Sequence, residues 1–304
     1  MTSSKLALIA ALLLSAPPGA RAEERFDLRP RARVGLAIHV EASVTSRTEL
    51  TLSIPNRDIA YRRVLESREL RHYTDAIEAI KDGRVTALSR RYTRQGLGAR
   101  EHPNAPLRVP AGPLQGQSLE LRLAPQGGVL ALDAATALEV SRLPFALRLN
   151  EPFEAGIRGR VVAIGERWQL DQRALERFLD GSAGARPRGA IRFAFDAVRR
   201  EPPFPARGSD SAPPERVARV SVRVEIDGRV DGRRLALSLD GLLRFSLDRR
   251  HLLSVALSGT TRLEASMPDG QGQLAGPGTL SIAKRFLLPS DLQRGDRRWR
   301  PARD

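Results

Sequence analysis

Val217-Ala218-Arg219-Val220-Ser221-Val222-Arg223-Val224-Glu225-Ile226 is the stretch that decides the fold. Ala218, Val220, Val222, Val224 and Ile226 fall on one side of an extended backbone, and Arg219, Ser221, Arg223 and Glu225 fall on the other. Successive side chains of a strand point to opposite faces, so this alternation builds a sheet with one apolar and one wet face. Such strands belong to antiparallel sheets, because parallel sheets are covered on both faces and read as unbroken apolar runs.

The pattern recurs along the chain. Val34, Leu36, Ile38 and Val40 alternate with polar or small residues over 33–42, and Leu50, Leu52 and Ile54 do so over 47–54. Leu119, Leu121 and Leu123 repeat it, as do Ile191, Phe193 and Phe195. Asp-Gly pairs at 82–83, 180–181, 227–228, 231–232, 240–241 and 269–270 mark turns, since both residues tolerate positive φ. Residues 216–288 therefore read as a local meander of strands at 216–226, 233–239, 242–247, 252–265 and 279–287. Helix is scarce. Asp171 is placed to cap a helix over 172–179; Tyr73, Ile77 and Ile80 fall at helical spacing and favour a second over 74–81; a short turn is read at 134–140. The expected fold class is mainly β, with antiparallel meander sheets forming a sandwich or an open half-barrel and one or two short helices.

Residues 1–22 set the compartment. Lys5 precedes the apolar run 6–14, Pro17-Pro18 breaks it, and Ala20-Arg21-Ala22 is a small-x-small site. Together these read as a secretory signal cut after Ala22, with an apolar run about half the length a membrane-spanning helix needs. The expected organisation is a signal peptide (1–22), a β-rich region with short helices (23–200), a Pro-rich linker or loop (201–215), a β-meander (216–290) and a basic, disordered tail (291–304). The destination is the periplasm or the exterior.

Export changes the meaning of the charge. The chain of 304 residues carries a net charge of +15, and its fifty basic residues include only three lysines, Lys5, Lys81 and Lys284. In a cytosolic protein that balance points to nucleic acid. In an exported chain, arginines spaced along alternating strands read instead as the wet face of a sheet, or as contacts to an anionic partner.

Little catalytic chemistry is legible. The absence of cysteine excludes disulfides, thiolate metal sites, a catalytic thiol and an N-terminal lipidation site. His39, His72, His102 and His251 are dispersed, lack metal-ligand spacing, and are each expected in an exposed strand or loop. Gly181-Ser182-Ala183-Gly184 has the wrong spacing for a nucleophile elbow. Asp227 to Gly232 imitates a calcium loop, but Arg229 stands where a carboxylate belongs. Aromatic residues make up 5% of the chain, few for a sugar platform or for the aromatic girdles of an outer-membrane barrel. No catalytic, metal-binding or cofactor-binding residue is assigned, and no cofactor is expected.

Trp168 follows a short apolar strand and the Gly165 turn, where a large ring would plug one end of a sheet. Trp168 with Val220, Val222, Val224, Leu235, Leu237, Phe245 and Val255 would line either a dry core or an apolar cavity. The layout of 33–168, with an apolar strand, the Gly165-Glu166-Arg167-Trp168 turn and a later β-meander, resembles an uncharacterised family of secreted β-rich bacterial proteins of unknown function. That resemblance implies no activity and carries no site residues. The long alternating strands also resemble, more loosely, the periplasmic lipoprotein-carrier half-barrels, in which a curved sheet wraps an apolar cavity. The expected function is an exported, non-catalytic β-protein that binds a ligand or envelope component, a lipid or an anionic polymer, with no nucleic acid and no transmembrane segment in the mature chain. The alternatives are a secreted hydrolase with loop-borne Asp, Glu or His, and a structural envelope protein.

Overall fold

The computed structural model describes residues 24–54, 57–82, 84–100, 105–123, 129–131, 153, 156–157, 159–170, 188–202, 213–230, 233–266 and 272–291. In chain order the strands are β1 (Arg25–Asp27), β2 (Ala37–Ile54), β3 (Arg57–Lys81), β4 (Arg84–Arg100), β5 (Ser118–Leu123), β6 (Val129–Ala131) and β7 (Val161–Ala163). They continue as β8 (Arg167–Gln169), β9 (Arg188–Glu201), β10 (Glu215–Val230), β11 (Arg233–Ser246), β12 (His251–Ser266) and β13 (Gln273–Leu287).

Eleven of these form one antiparallel sheet in the order β6-β5-β4-β3-β2-β13-β12-β11-β10-β9-β8, while β1 pairs with β7 in a small separate sheet. The large sheet is open, with β6 and β8 at its ends. Its two strand runs meet at β2 and β13, where Val40 lies opposite Phe286 and Val44 opposite Ile282. The Pro-rich stretch joins sheet neighbours, since Glu201 of β9 pairs with Glu215 of β10.

Two local expectations are corrected. Residues 74–81 are the end of β3, paired with β2 as far as Ala76 and with β4 to Lys81. Register shifts at His72/Tyr73, Ile77/Ala79 and Ala79/Ile80 displace the period-two pattern, and this is why Tyr73, Ile77 and Ile80 imitate helical spacing. The C-terminal meander has four strands in place of five, because 233–239 and 242–247 are one strand running through Asp240-Gly241. Gly241 is needed there for space: a Cβ would collide with the carbonyl oxygen of Ala256 on β12, a close approach only glycine permits. Asp227-Gly228 likewise stays inside β10. Asp82, at φ 51°, does turn β3 into β4. The helices read at 134–140 and 172–179, residues 1–22 and most of the tail lie outside the described residues.

Alternation on each strand sorts the sheet into two faces. One face carries Ile191, Phe193, Phe195, Val220, Val222, Val224, Leu239, Leu243, Phe245, Val255 and Leu257, all at most 2% exposed. Burial of each such side chain stabilises by about 1.5–3 kcal/mol. Residues 24–36 cross one end of this face. Phe26 meets Phe195 edge-on at 5.4 Å, the Arg31 amide donates to Arg250 O, and the Gly35 amide donates to Ile77 O. That strap closes one end of the sheet, called the base here. The hairpin ends of β2–β3, β10–β11 and β12–β13 form the opposite rim.

Candidate functional site

The inner face changes character from base to rim. Near the base its residues are fully buried, Phe195, Val220, Leu243 and Phe245 among them. Toward the rim, the same face carries Leu52, Leu65, Leu235, Leu263 and Leu274, each only half-buried, together with the buried Leu50; Leu280, midway along β13, is half-buried against the core. Register makes four of these neighbours: Leu52 lies opposite Leu274, and Leu235 opposite Leu263. Leu274 lies diagonal to Leu263 on the adjacent strand, since Leu263 is opposite Gly276. Leu52, Leu274, Leu263 and Leu235 therefore form one apolar strip across β2, β13, β12 and β11, while Leu65 lies opposite Thr48 and Leu280 opposite Ser46.

The sequence-derived candidates distribute over this face. Val220, Val222, Val224, Leu237, Phe245 and Val255 belong to one buried cluster, and Trp168 packs against it from the side. Leu235 lies nearer the rim and is half-buried. Trp168 stacks on Phe193, its Nε1–H donates to Gly156 O at 2.7 Å, and the Arg160 guanidinium lies 5.2 Å from its ring centroid. An open cleft of about 530 Å³ runs beside it along β8–β11, lined by Trp168, Phe193, Val222 and Gly241 with charged residues at its border.

A polar cluster on the same face escaped the pattern. Arg71 is 1% exposed and Glu69 is 3% exposed, and Arg71 Nε donates to Glu69 Oε1 at 3.2 Å. Burial pushes the Glu69 carboxyl up to about 7, against the pull of Arg71. Arg71 Nη2 has no hydrogen-bond partner among the described residues. On the next strand Arg90 grips Asp75 with two hydrogen bonds, at 2.7 and 2.8 Å, and lies 4.0 Å from the Tyr73 ring centroid. Lys284 is 6% exposed, with Nζ 4.6 Å from the Phe286 ring centroid. His251, the first residue of β12, is also buried, against expectation, with its ring edge-on to Phe286; burial, with Arg249 nearby, holds its imidazole down at about 4. A scan for alternation assigns charged strand residues to the wet face, and so it hides these groups. The one usable signal was a charge on the same parity as the apolar set, as with Arg71 beside Tyr73.

On the outer face the arginines are interleaved with acids. Arg192 and Arg223 both engage Glu225, Arg234 meets Asp227 at 2.8 Å, and Arg262 meets Glu264 at 3.0 Å. Among the described residues no group of three or more His, Asp or Glu side chains is placed to hold a metal ion, and no helix is long and apolar enough to cross a membrane.

No family model and no curated protein matches the chain. Among solved structures, one of lipovitellin that addresses lipid–protein interactions is similar over 84% of this chain and 25% of its own, with 8% identity and a TM-score of 0.44. The chain thus spans a quarter of lipovitellin's length. DynF from the dynemicin biosynthesis pathway of Micromonospora chersina is similar over 90% of this chain and 89% of its own, with 9% identity and a TM-score of 0.19. A DUF1329 family protein from Desulfovibrio piger is similar over 84% of this chain and 90% of its own, with 8% identity and a TM-score of 0.14.

Proposed function

We propose that the protein is an exported, non-catalytic carrier that takes a ligand of the lipid class on the inner face of its sheet. The observation that carries this reading is the gradient along that face. The base half is packed by the strap and by Trp168, whereas Leu52, Leu274, Leu263 and Leu235 lie next to one another near the rim and are each only half-buried. A contiguous apolar strip that the fold leaves partly open to solvent is a place for an apolar ligand. Export rests on residues 1–22. Retention on an anionic polymer is the weaker reading, because outer-face arginines such as Arg192, Arg223, Arg234 and Arg262 already meet carboxylates, and exposed charge contacts of this kind are screened by salt.

Native mass spectrometry of the protein exported from its own host tests the proposal. A bound species of lipid mass, released by organic solvent, is the expected result. A bare mass, together with failure to take up added fatty acid or phospholipid, would refute it.

A further inference from the structure

We propose that Arg71, with Lys284 beside it, is the receptor for the carboxylate of a long-chain fatty acid, whose chain then runs over the inner face toward the rim. The inference rests on the carrier reading above and names its ligand. Arg71 is 1% exposed, yet only its Nε is engaged by Glu69, and Nη2 is left without a hydrogen-bond partner among the described residues. A buried guanidinium is costly unless its donors are satisfied, and a carboxylate is its best-matched acceptor.

The register places a second cation nearby: Lys284, whose Nζ also lies 4.6 Å from the Phe286 ring centroid. Arg71 lies opposite Ala42, and Ala42 lies opposite Lys284, so both cations rise from the same face with one methyl group between them. Their backbones are two strand spacings apart, about 10 Å. Asp75 is already taken by both forks of Arg90, which leaves Glu69 as the carboxylate beside Arg71. Toward the rim, β2 continues with Val44, Ser46 and Thr48 and β13 with Ile282, Leu280 and Gly278, so an acyl chain leaving Arg71 first meets Val44 and Ile282 and then the smaller Ser46, Thr48 and Gly278. A head with one carboxylate matches the single open guanidinium donor, and one unbranched chain is the simplest apolar group to follow it.

The test is displacement of a dansyl-labelled undecanoate from the purified protein. Oleate, oleyl alcohol and oleoyl-lysophosphatidylglycerol are the competitors. The proposal expects oleate to compete at least tenfold better than either other compound. In Arg71→Met the oleate advantage should fall to within about twofold, with oleyl alcohol unchanged, and Arg71→Lys should keep most of it. A second readout uses the native protein alone: the carboxyl resonance of [1-13C]oleate should stay that of the ionised form well below the pH at which free oleate protonates. Equal competition by oleate and oleyl alcohol, or protonation at the ordinary pH, overturns the receptor and leaves the carrier standing. Preference for the lysophospholipid overturns the carboxylate assignment. Failure of every competitor, with no uptake of the probe, overturns the carrier reading itself.

Discussion

The Trp168 indole lies on the Phe193 ring with centroids 5.5 Å apart and planes inclined by only 6°. Trp168 belongs to β8, the last strand of the sheet, and Phe193 to β9 beside it. Gly156 closes the arrangement: its carbonyl accepts the indole N–H, and a Cβ at that position would run into the Phe193 ring. The aromatic pair and its glycine thus fix this edge of the sheet as one unit.

Gly156→Ala should therefore destabilise the protein by about 1–3 kcal/mol, the usual cost of forced overpacking. Phe193→Leu costs stability alone, but in the Gly156→Ala background it should cost less, since it removes the collision. Urea unfolding of the four proteins in the cycle measures the coupling; strict additivity would contradict this packing.

Arg249 holds the base together. It donates to both Glu215 oxygens at 2.7 and 2.8 Å and to Asp291 at 2.7 and 2.8 Å, and both carboxylates are buried. Arg249→Met leaves two buried carboxylates without their counter-charge and should cost about 3–5 kcal/mol. Thermal unfolding checks it. The triple variant with Glu215→Gln and Asp291→Asn should recover much of the loss.

Two buried groups give stability opposing dependences on pH. Glu69 is raised from 4.5 to about 7 in the folded protein, so the folded form holds its proton more tightly and this group's contribution weakens as pH rises from 4.5 to 7. His251 is lowered from 6.5 to about 4, so its contribution is present above 6.5 and is lost as pH falls toward 4. Each amounts to about 3 kcal/mol, and the two oppose each other between 4.5 and 6.5. Glu69→Gln removes the first alone. Its stability relative to the native protein should rise by about 3 kcal/mol between pH 4.5 and 7, measured by chemical unfolding across that range.

The sheet was legible because period-two alternation is a local property of the backbone. Val217 to Ile226 reports its two faces without reference to any neighbour, and the core residues Val220, Val222, Val224, Leu237, Phe245 and Val255 follow from it. What escaped depends on partners distant in sequence. Gly241 looks like a turn until Ala256 is known to press against it. The bulges that shift β3 against β4 turn a strand pattern into an apparent helical one at Tyr73, Ile77 and Ile80. The pairing of β2 with β13, which joins the two strand runs, has no local signature. Buried charges such as Arg71 and Lys284 are invisible for the same reason, since only the fold places them among apolar neighbours.

Leu263 and Leu274 separate binding from folding. Both are half-buried near the rim, so Leu263→Glu or Leu274→Glu should cost about 1 kcal/mol, the ordinary effect of a single substitution, and leave the protein folded. Each should weaken uptake of a fluorescent fatty acid by tenfold or more, because the carboxylate must then be covered by an acyl chain. Fluorescence titration checks both variants.

Photocrosslinking with a diazirine-bearing fatty acid, followed by peptide mapping, asks where the ligand lies. Labels are expected on inner-face positions of β2, β3 and β11–β13, such as Leu52, Leu65, Leu235, Leu263 and Leu274, and are expected to be lost when unlabelled oleate is added in excess. Labels confined to outer-face positions such as Thr260 or Arg262, or labelling that excess oleate leaves unchanged, would contradict binding on the inner face.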